Sequence, residues 1–273
     1  MPAPNQGLTT TAAPTNNYFA KLPFQKTANT YDAKIDYQLS PKDHLAGRYS
    51  YQQNNVFQAP IFGSAGGGPA NGAFAGTGIQ NAYSTSLNYD RAFSSTLLTE
   101  FRLGVAHYRN DAQPTDYGTN DATTTGIPGV NISGQPFTAG QVGINIGNFS
   151  APSIGYSASL PWIRAEANID LVNHWTKILG NHTFKFGVDI RRVRDELLQD
   201  QTFSPRGVYT FAENQTSTAD PTAALFGKGI TSGNFSNDLA SFLLDTPSTA
   251  GRDLNTFFPA YRQWWIFSFI GDK

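Results

Sequence analysis

The chain has 273 residues, a net charge of −1 and 14% charged residues, against roughly 25% in an average soluble domain. It has no cysteine, which excludes a disulfide framework, cysteine-ligated zinc and a thiol nucleophile. The near-neutral balance leaves no basic footprint for nucleic acid.

Aromatic residues at 13% and 26 glycines describe a protein rich in strands and loops, neither helical nor disordered. The start, "MPAPNQGLTTTAAPTNN", lacks the basic residues and apolar run of a signal peptide. The apolar stretch "WWIFSF" is far shorter than the ~20 residues of a membrane-spanning helix.

In chain order, the first regular segment is "YDAKIDYQLSPKDHLAGRYSY", residues 31–51. Tyr31, Ala33, Ile35, Tyr37 and Leu39 share one parity, and Asp32, Lys34, Asp36 and Gln38 share the other. After a tight polar turn, Leu45, Gly47, Tyr49 and Tyr51 alternate with Ala46, Arg48 and Ser50. Period-two alternation places successive side chains on opposite faces of a strand, so residues 31–52 are expected to form a hairpin.

The pattern recurs over residues 80–109, where Tyr83, Thr85, Leu87 and Tyr89 lead through a turn at Ser94 and Ser95 to Leu97, Thr99, Phe101, Leu103 and Val105. Asp90, Glu100 and Arg102 lie opposite. It recurs again over 163–195. There Ala165, Ala167, Ile169, Leu171 and Trp175 continue as Phe184, Phe186, Val188 and Ile190, against Arg164, Glu166, Asp170, Lys185, Asp189 and Arg191. A short helix is expected in "SNDLASFLLD", capped by Ser236 or Asn237 and stopped by Pro247. A seventh strand is expected over 259–270.

In the middle of these strands every charge falls opposite the apolar face, and Arg109 and Arg192 share the apolar parity only at strand ends, next to long links. A bilayer imposes that profile, because a lipid-facing Arg or Lys costs ~2–4 kcal/mol at the midplane and almost nothing near the interface. The turns after residues 39, 91 and 177 are short, whereas the links 53–79, 110–162 and 196–258 are long and are read as irregular apart from the helix. Short and long connections alternate as periplasmic turns and extracellular loops do in an outer-membrane barrel. The expected fold is therefore all-β: an antiparallel transmembrane β-barrel segment of about seven strands. Tyr37, Tyr49, Tyr89 and Trp175 would form the interfacial aromatic girdle.

Plainer and sharper readings compete at several motifs. His44 and His182 are placed in short turns, His107 near a strand end and His174 on a charged face, and no pair has metal-ligand spacing. "GSAGGGPANGAFAGTG" lacks the Gly-Lys-Ser/Thr ending of a phosphate loop, and no GxSxG marks a nucleophile. The acids Asp32, Asp36, Glu100, Glu166, Asp170 and Asp189 could be paired catalytic carboxylates. Interleaving with Lys34, Arg48, Arg102, Arg164, Lys185 and Arg191 reads better as the ion-paired lining of a wet lumen. The Asn131 and Asn214 sequons are common by chance in such loops. "RRVRDE" at 191–196 falls on the rim, solvated or touching lipopolysaccharide phosphate.

Several phrases together, "PAPNQ", "NNYFAKLPFQKTANTYDAKIDYQLSPKDHLAGRYS", "LLTEFRLGVAHYR", "GIPGVN", "GNHTFKFGVDIRRV" and "NDLASFLLDTPS", resemble the TonB-dependent outer-membrane receptors of the Oar-like group, whose members often carry a carboxypeptidase-regulatory-like domain. The resemblance covers nearly the whole chain. It implies the N-terminal part of a 22-stranded barrel, with residues 1–25 as the tail of an extracellular loop and with signal peptide, plug and TonB-contacting segment absent. It also implies the outer membrane of a Gram-negative bacterium as location. Expected partners are outer-membrane lipid, the plug and remaining strands, the TonB complex and an unidentified nutrient. No cofactor and no catalysis are expected. A passive porin-like channel and a secreted carbohydrate-binding adhesin are the alternatives.

Overall fold

Strands with one apolar and one charged face can satisfy their backbone only by pairing with neighbours in a single register. The computed structural model describes residues 3–6, 18–67, 74–147, 154–200, 202–216, 235–253 and 259–273. Its strands are β1 (Phe24–Ser40), β2 (Asp43–Gln58), β3 (Gly76–Ser94), β4 (Leu97–Pro114), β5 (Gly143–Ile146), β6 (Trp162–Leu179), β7 (His182–Leu198), β8 (Val208–Phe211), β9 (Thr249–Gly251) and β10 (Ala260–Asp272). The helices are α1 (Asp121–Thr124) and α2 (Phe235–Leu243). The protein is all-β in class. Seven strands make one antiparallel sheet in the order β1-β2-β3-β4-β6-β7-β10, with β1 and β10 at its edges among the described residues.

Three connections, Pro41–Lys42, Ser95–Thr96 and Gly180–Asn181, have two residues each. Their own polar groups close them. Ser40 Oγ donates to Asp43 Oδ2 at 2.5 Å, and the Thr96 N–H donates to Ser94 Oγ at 3.2 Å. Gly180 takes a φ of +60°, which a side chain would resist.

The long strands run to 16–19 residues, beyond the stretches over which the apolar alternation holds. Their extra residues, such as Gln52–Gln58 facing Phe24–Thr30, are mostly polar. They extend the hairpins because the ladder needs only backbone groups once the register is set.

The three long links are not irregular. β5 pairs parallel with β8, and β8 pairs antiparallel with β9. The chain around Gly155 adds to the same edge. The Ile144 N–H donates to Ile154 O at 2.9 Å, the Gly155 N–H to Ala65 O at 2.8 Å, and the Gly67 N–H to Gly155 O at 2.7 Å. Gly66 and Gly155 bridge directly with positive φ, and a Cβ on either would collide with backbone.

One small ladder thus stitches all three links together, over a core of Ala122, Val130 and Val142 flanked by Ile127, Ile144 and Tyr209. Helix α2 packs on it through an edge-on contact of Phe242 with Phe211 at 5.2 Å and a Ser241 Oγ bond to Ala212 O. It begins at Phe235 and ends at Leu243. Ser236 and Asn237 therefore lie inside its first turn rather than capping it. Termination comes at Asp245, at φ +52°, before Pro247.

Arg206 and Asp116 lie at the centre of this cap, both almost wholly buried. Arg206 donates to Asp116 Oδ1 at 3.4 Å, to Ser157 O at 3.2 Å and to Leu160 O at 3.1 Å. Asp116 Oδ2 accepts from the Gln141 N–H at 2.6 Å. Arg252 closes another side by donating to the carbonyls of Pro205, Gly129 and Val130.

Candidate functional site

The register sorts the side chains into two faces. Asp32, Lys34, Asp36, Arg48, Glu100, Arg102, Arg164, Glu166, Asp170, Lys185, Asp189 and Arg191 project from one face. Tyr31, Ile35, Tyr37, Leu39, Tyr49, Leu87, Tyr89, Phe101, Leu103, Val105, Ile169, Leu171, Trp175, Phe184, Phe186, Val188 and Ile190 project from the other.

On the apolar face, Ile35 and Ile266 are 72% and 69% exposed, which calls for a non-aqueous cover. From Tyr31 to Leu39 this belt spans about 27 Å along the strand, or about 20 Å along a membrane normal at ~40° tilt.

Aromatic rows bound the belt. Tyr31, Tyr51, Tyr83 and His107 share one transverse row, which continues as Ala167, Arg194 and Arg262. Tyr83 and His107 stack at 4.9 Å. His107 therefore belongs to the girdle in mid-strand, because β4 runs on to Pro114. Towards the short turns, Tyr37, Tyr89 and Phe101 share a second row, with Trp175 stacked between Phe93 and Phe186 just beyond it. Tyr49 lies one row nearer the middle than Tyr51.

Near the short turns, the polar residues Asn173 and Thr99 on this face are both satisfied. Asn173 donates to Thr99 Oγ1 at 3.1 Å and accepts from Trp175 Nε1 at 2.6 Å. Thr99 Oγ1 donates to the His174 carbonyl at 3.1 Å.

On the polar face each of the six acids weighed as catalytic carboxylates is held by a basic neighbour. Arg48 reaches Asp32 at 3.0 Å, Lys34 Asp36 at 2.8 Å and Arg102 Glu100 at 3.1 Å. Arg164 bridges Glu166 and Asp195 at 2.7 and 3.1 Å, and Arg191 bridges Asp170 and Asp189 at 3.6 and 2.8 Å. Lys185 forms no ion pair among the described residues. His44 sits within β2 rather than in a turn, between Asp36 and Asp90. His182 opens β7 and bonds Asp272 at 2.7 Å. Exposed pairs of this kind add little stability, and their effect is to keep the face wet.

The loop-side half of this face holds a groove of about 670 Å³. Its floor is made of the small residues Ser50, Ala82, Ser84 and Ala106, which face one another across β2, β3 and β4. One wall carries Asp32 and Arg48, and the other Tyr108, Arg164 and Glu166. Small residues between two charged walls leave room for a polar solute and offer it donors, acceptors and one aromatic ring. Alternation showed these positions only as "polar parity". The groove depends on which strands become neighbours.

Two motifs resolve differently from a bare reading. The Asn131 side-chain amide is engaged internally, donating to Thr138 O and Gly140 O at 2.9 Å each and accepting from Thr123. Residues 68–73 of the glycine-rich stretch lie outside the described residues. β10 breaks the alternation, placing Tyr261, Trp265, Phe267 and Phe269 on the charged face, where Phe269 meets His174 edge-on at 5.1 Å.

An antiparallel sheet with one apolar and one ion-paired face, two-residue turns at one end and folded long links at the other has the architecture of a transmembrane β-barrel wall. The family model for the outer membrane beta barrel domain matches residues 1–273. The chain belongs to this family and is an outer-membrane protein. No curated protein and no solved structure matches it.

Proposed function

We propose that the chain is part of an outer-membrane active-transport receptor, which binds a nutrient through its outer links and imports it with TonB-derived energy. The observation that carries this reading is the groove with a floor of small residues between Asp32/Arg48 and Arg164/Glu166, on the face that would line the lumen. Folded links at the same end of the sheet support it, because a packed cap can present a selective binding surface. The phrases shared with Oar-like receptors are the support for TonB coupling. Hydroxyl-rich or amide-rich solutes, such as oligosaccharides or peptides, match a surface of paired charges and Tyr, Asn and Ser side chains. This role is binding and translocation, not catalysis.

Uptake of labelled oligosaccharides and peptides by cells carrying or lacking the gene tests the proposal, with and without a protonophore. Gene-dependent uptake abolished by the protonophore is the expected result. Uptake that persists without a proton gradient establishes the passive channel instead, and gene-independent uptake of every probe overturns transport.

A further inference from the structure

The run "RRVRDE" does not act as one patch. The pleat sends Arg191 and Asp195 to the polar face, and Arg192, Arg194 and Glu196 to the apolar one. There β10 brings up a third guanidinium. Arg262 lies directly opposite Arg194 in the register, and Arg192 lies directly opposite Trp264, its guanidinium 4.9 Å from the ring centroid.

Like charges facing each other across a ladder destabilise it. Here the compensation is incomplete, since Glu196 Oε1 alone accepts from both Arg194, at 3.5 Å, and Arg262, at 3.1 Å. Arg192 has no ion pair among the described residues. Arg109, on the same face and one row further out than Arg194, is held by Asp111 at 3.0 Å. The surplus straddles the outer limit of the apolar belt: Arg194 and Arg262 stand in the girdle row with Tyr31, Tyr51 and Tyr83, Arg192 and Trp264 one row inside it with Tyr49, Val105 and Ile169, and the next row inward holds Ile35, Leu87, Leu103, Leu171, Ile190 and Ile266.

We infer that Arg192, Arg194 and Arg262 form a docking site for the phosphate groups of an outer-leaflet glycolipid. Three guanidiniums sharing one carboxylate match a phosphorylated headgroup, whose oxygens accept bidentate forks. The adjoining apolar rows receive its acyl chains, which a free phosphate does not have. Trp264 fixes Arg192 one row inside that boundary, and a long basic side chain at such a depth extends its charge into the interface. The inference rests on the long links facing outward, as in the transport reading, but it is read through lipid binding and is independent of any solute.

The test uses the full chain in neutral phosphatidylcholine nanodiscs, titrated with lipid A, dephosphorylated lipid A and inorganic phosphate, with retained lipid measured by native mass spectrometry. The expected result is binding of lipid A at least tenfold tighter than of the dephosphorylated form, lost to a similar extent in R194Q/R262Q and kept in the polar-face control Arg102→Gln. Equal binding of the two lipids, or no loss in R194Q/R262Q, overturns the proposal. So does displacement of lipid A by inorganic phosphate at matching concentration, which would mark a free-anion site. If R194Q/R262Q does not fold, the dephosphorylated lipid and R194K/R262K carry the decision: the lysine variant should bind lipid A more weakly than the unchanged chain, and lipid A binding equal in the two overturns the proposal.

Discussion

The Arg206 guanidinium lies 3.4 Å from the Asp116 carboxylate although the two residues are 90 positions apart in the chain. Both are buried in the cap, and each belongs to a different long link. Removing one partner of a buried ion pair leaves the other charge without compensation, at a cost of about 3–5 kcal/mol. In Arg206→Met the amides around β5, β8 and β9 should exchange hydrogen at least a hundredfold faster, while those of β2, β3 and β4 stay protected. Hydrogen exchange read by mass spectrometry checks this. Unchanged protection in the cap would show that Arg206 does not hold it together.

The same carboxylate sets a pH dependence. Burial raises the Asp116 carboxyl above its ordinary value, with Arg206 and the Gln141 N–H pulling it back and Asp121 adding to the rise. A group whose pKa is raised on folding stabilises the fold fully below its unfolded value and loses that contribution as pH climbs through the folded value. The cap should therefore become less protected as pH rises from about 4 through the raised Asp116 value. In Arg206→Met the carboxyl loses its main opposing charge, so the decline should extend to higher pH. Cap exchange, corrected for intrinsic rates and followed across that range, decides it. A cap that gains protection with rising pH would contradict the assignment.

Leu103 lies in the middle row of the apolar face, whereas Arg109 stands one row outside the girdle row of Tyr83 and His107. Leu103→Arg should cost about 2–4 kcal/mol of stability in lipid, and Arg109→Leu close to nothing. Urea titration of the chain folded into phosphatidylcholine vesicles, with tryptophan fluorescence as the signal, measures both. Similar costs at the two positions would mean that this face does not meet the bilayer.

Asn173 is the polar residue on which the girdle near the short turns depends. Asn173→Leu strands the Trp175 indole N–H in apolar surroundings, a loss of about 1–3 kcal/mol. Adding Trp175→Phe removes the orphaned donor and should return part of that loss, a coupling that a double-mutant cycle in the same urea assay detects. Strictly additive effects would show that the 2.6 Å bond has no energetic weight.

What alternation determined by itself is the sorting of faces: Asp32, Lys34 and Asp36 against Tyr31, Ile35 and Tyr37, and their counterparts through β7. Side-chain period and backbone pleat are the same physical fact, so every residue of a regular strand is assigned once its neighbours are. The two-residue turns were equally legible, as breaks in that period. The tertiary structure decided everything that requires strands or links distant in sequence to meet. The groove exists because Ser50, Ala82, Ser84 and Ala106 become neighbours across three strands, and the basic triad because β10 pairs with β7. Apart from the helix in "SNDLASFLLD", the long links showed in sequence only a composition rich in Gly, Ser, Thr, Asn and Pro. Their order comes from a few cross-link contacts, Gly66 with Gly155 and Arg206 with Asp116, whose partners carry no local periodicity. A pattern repeats along the chain and can be read there, whereas a contact between remote positions has no signature until the chain has folded.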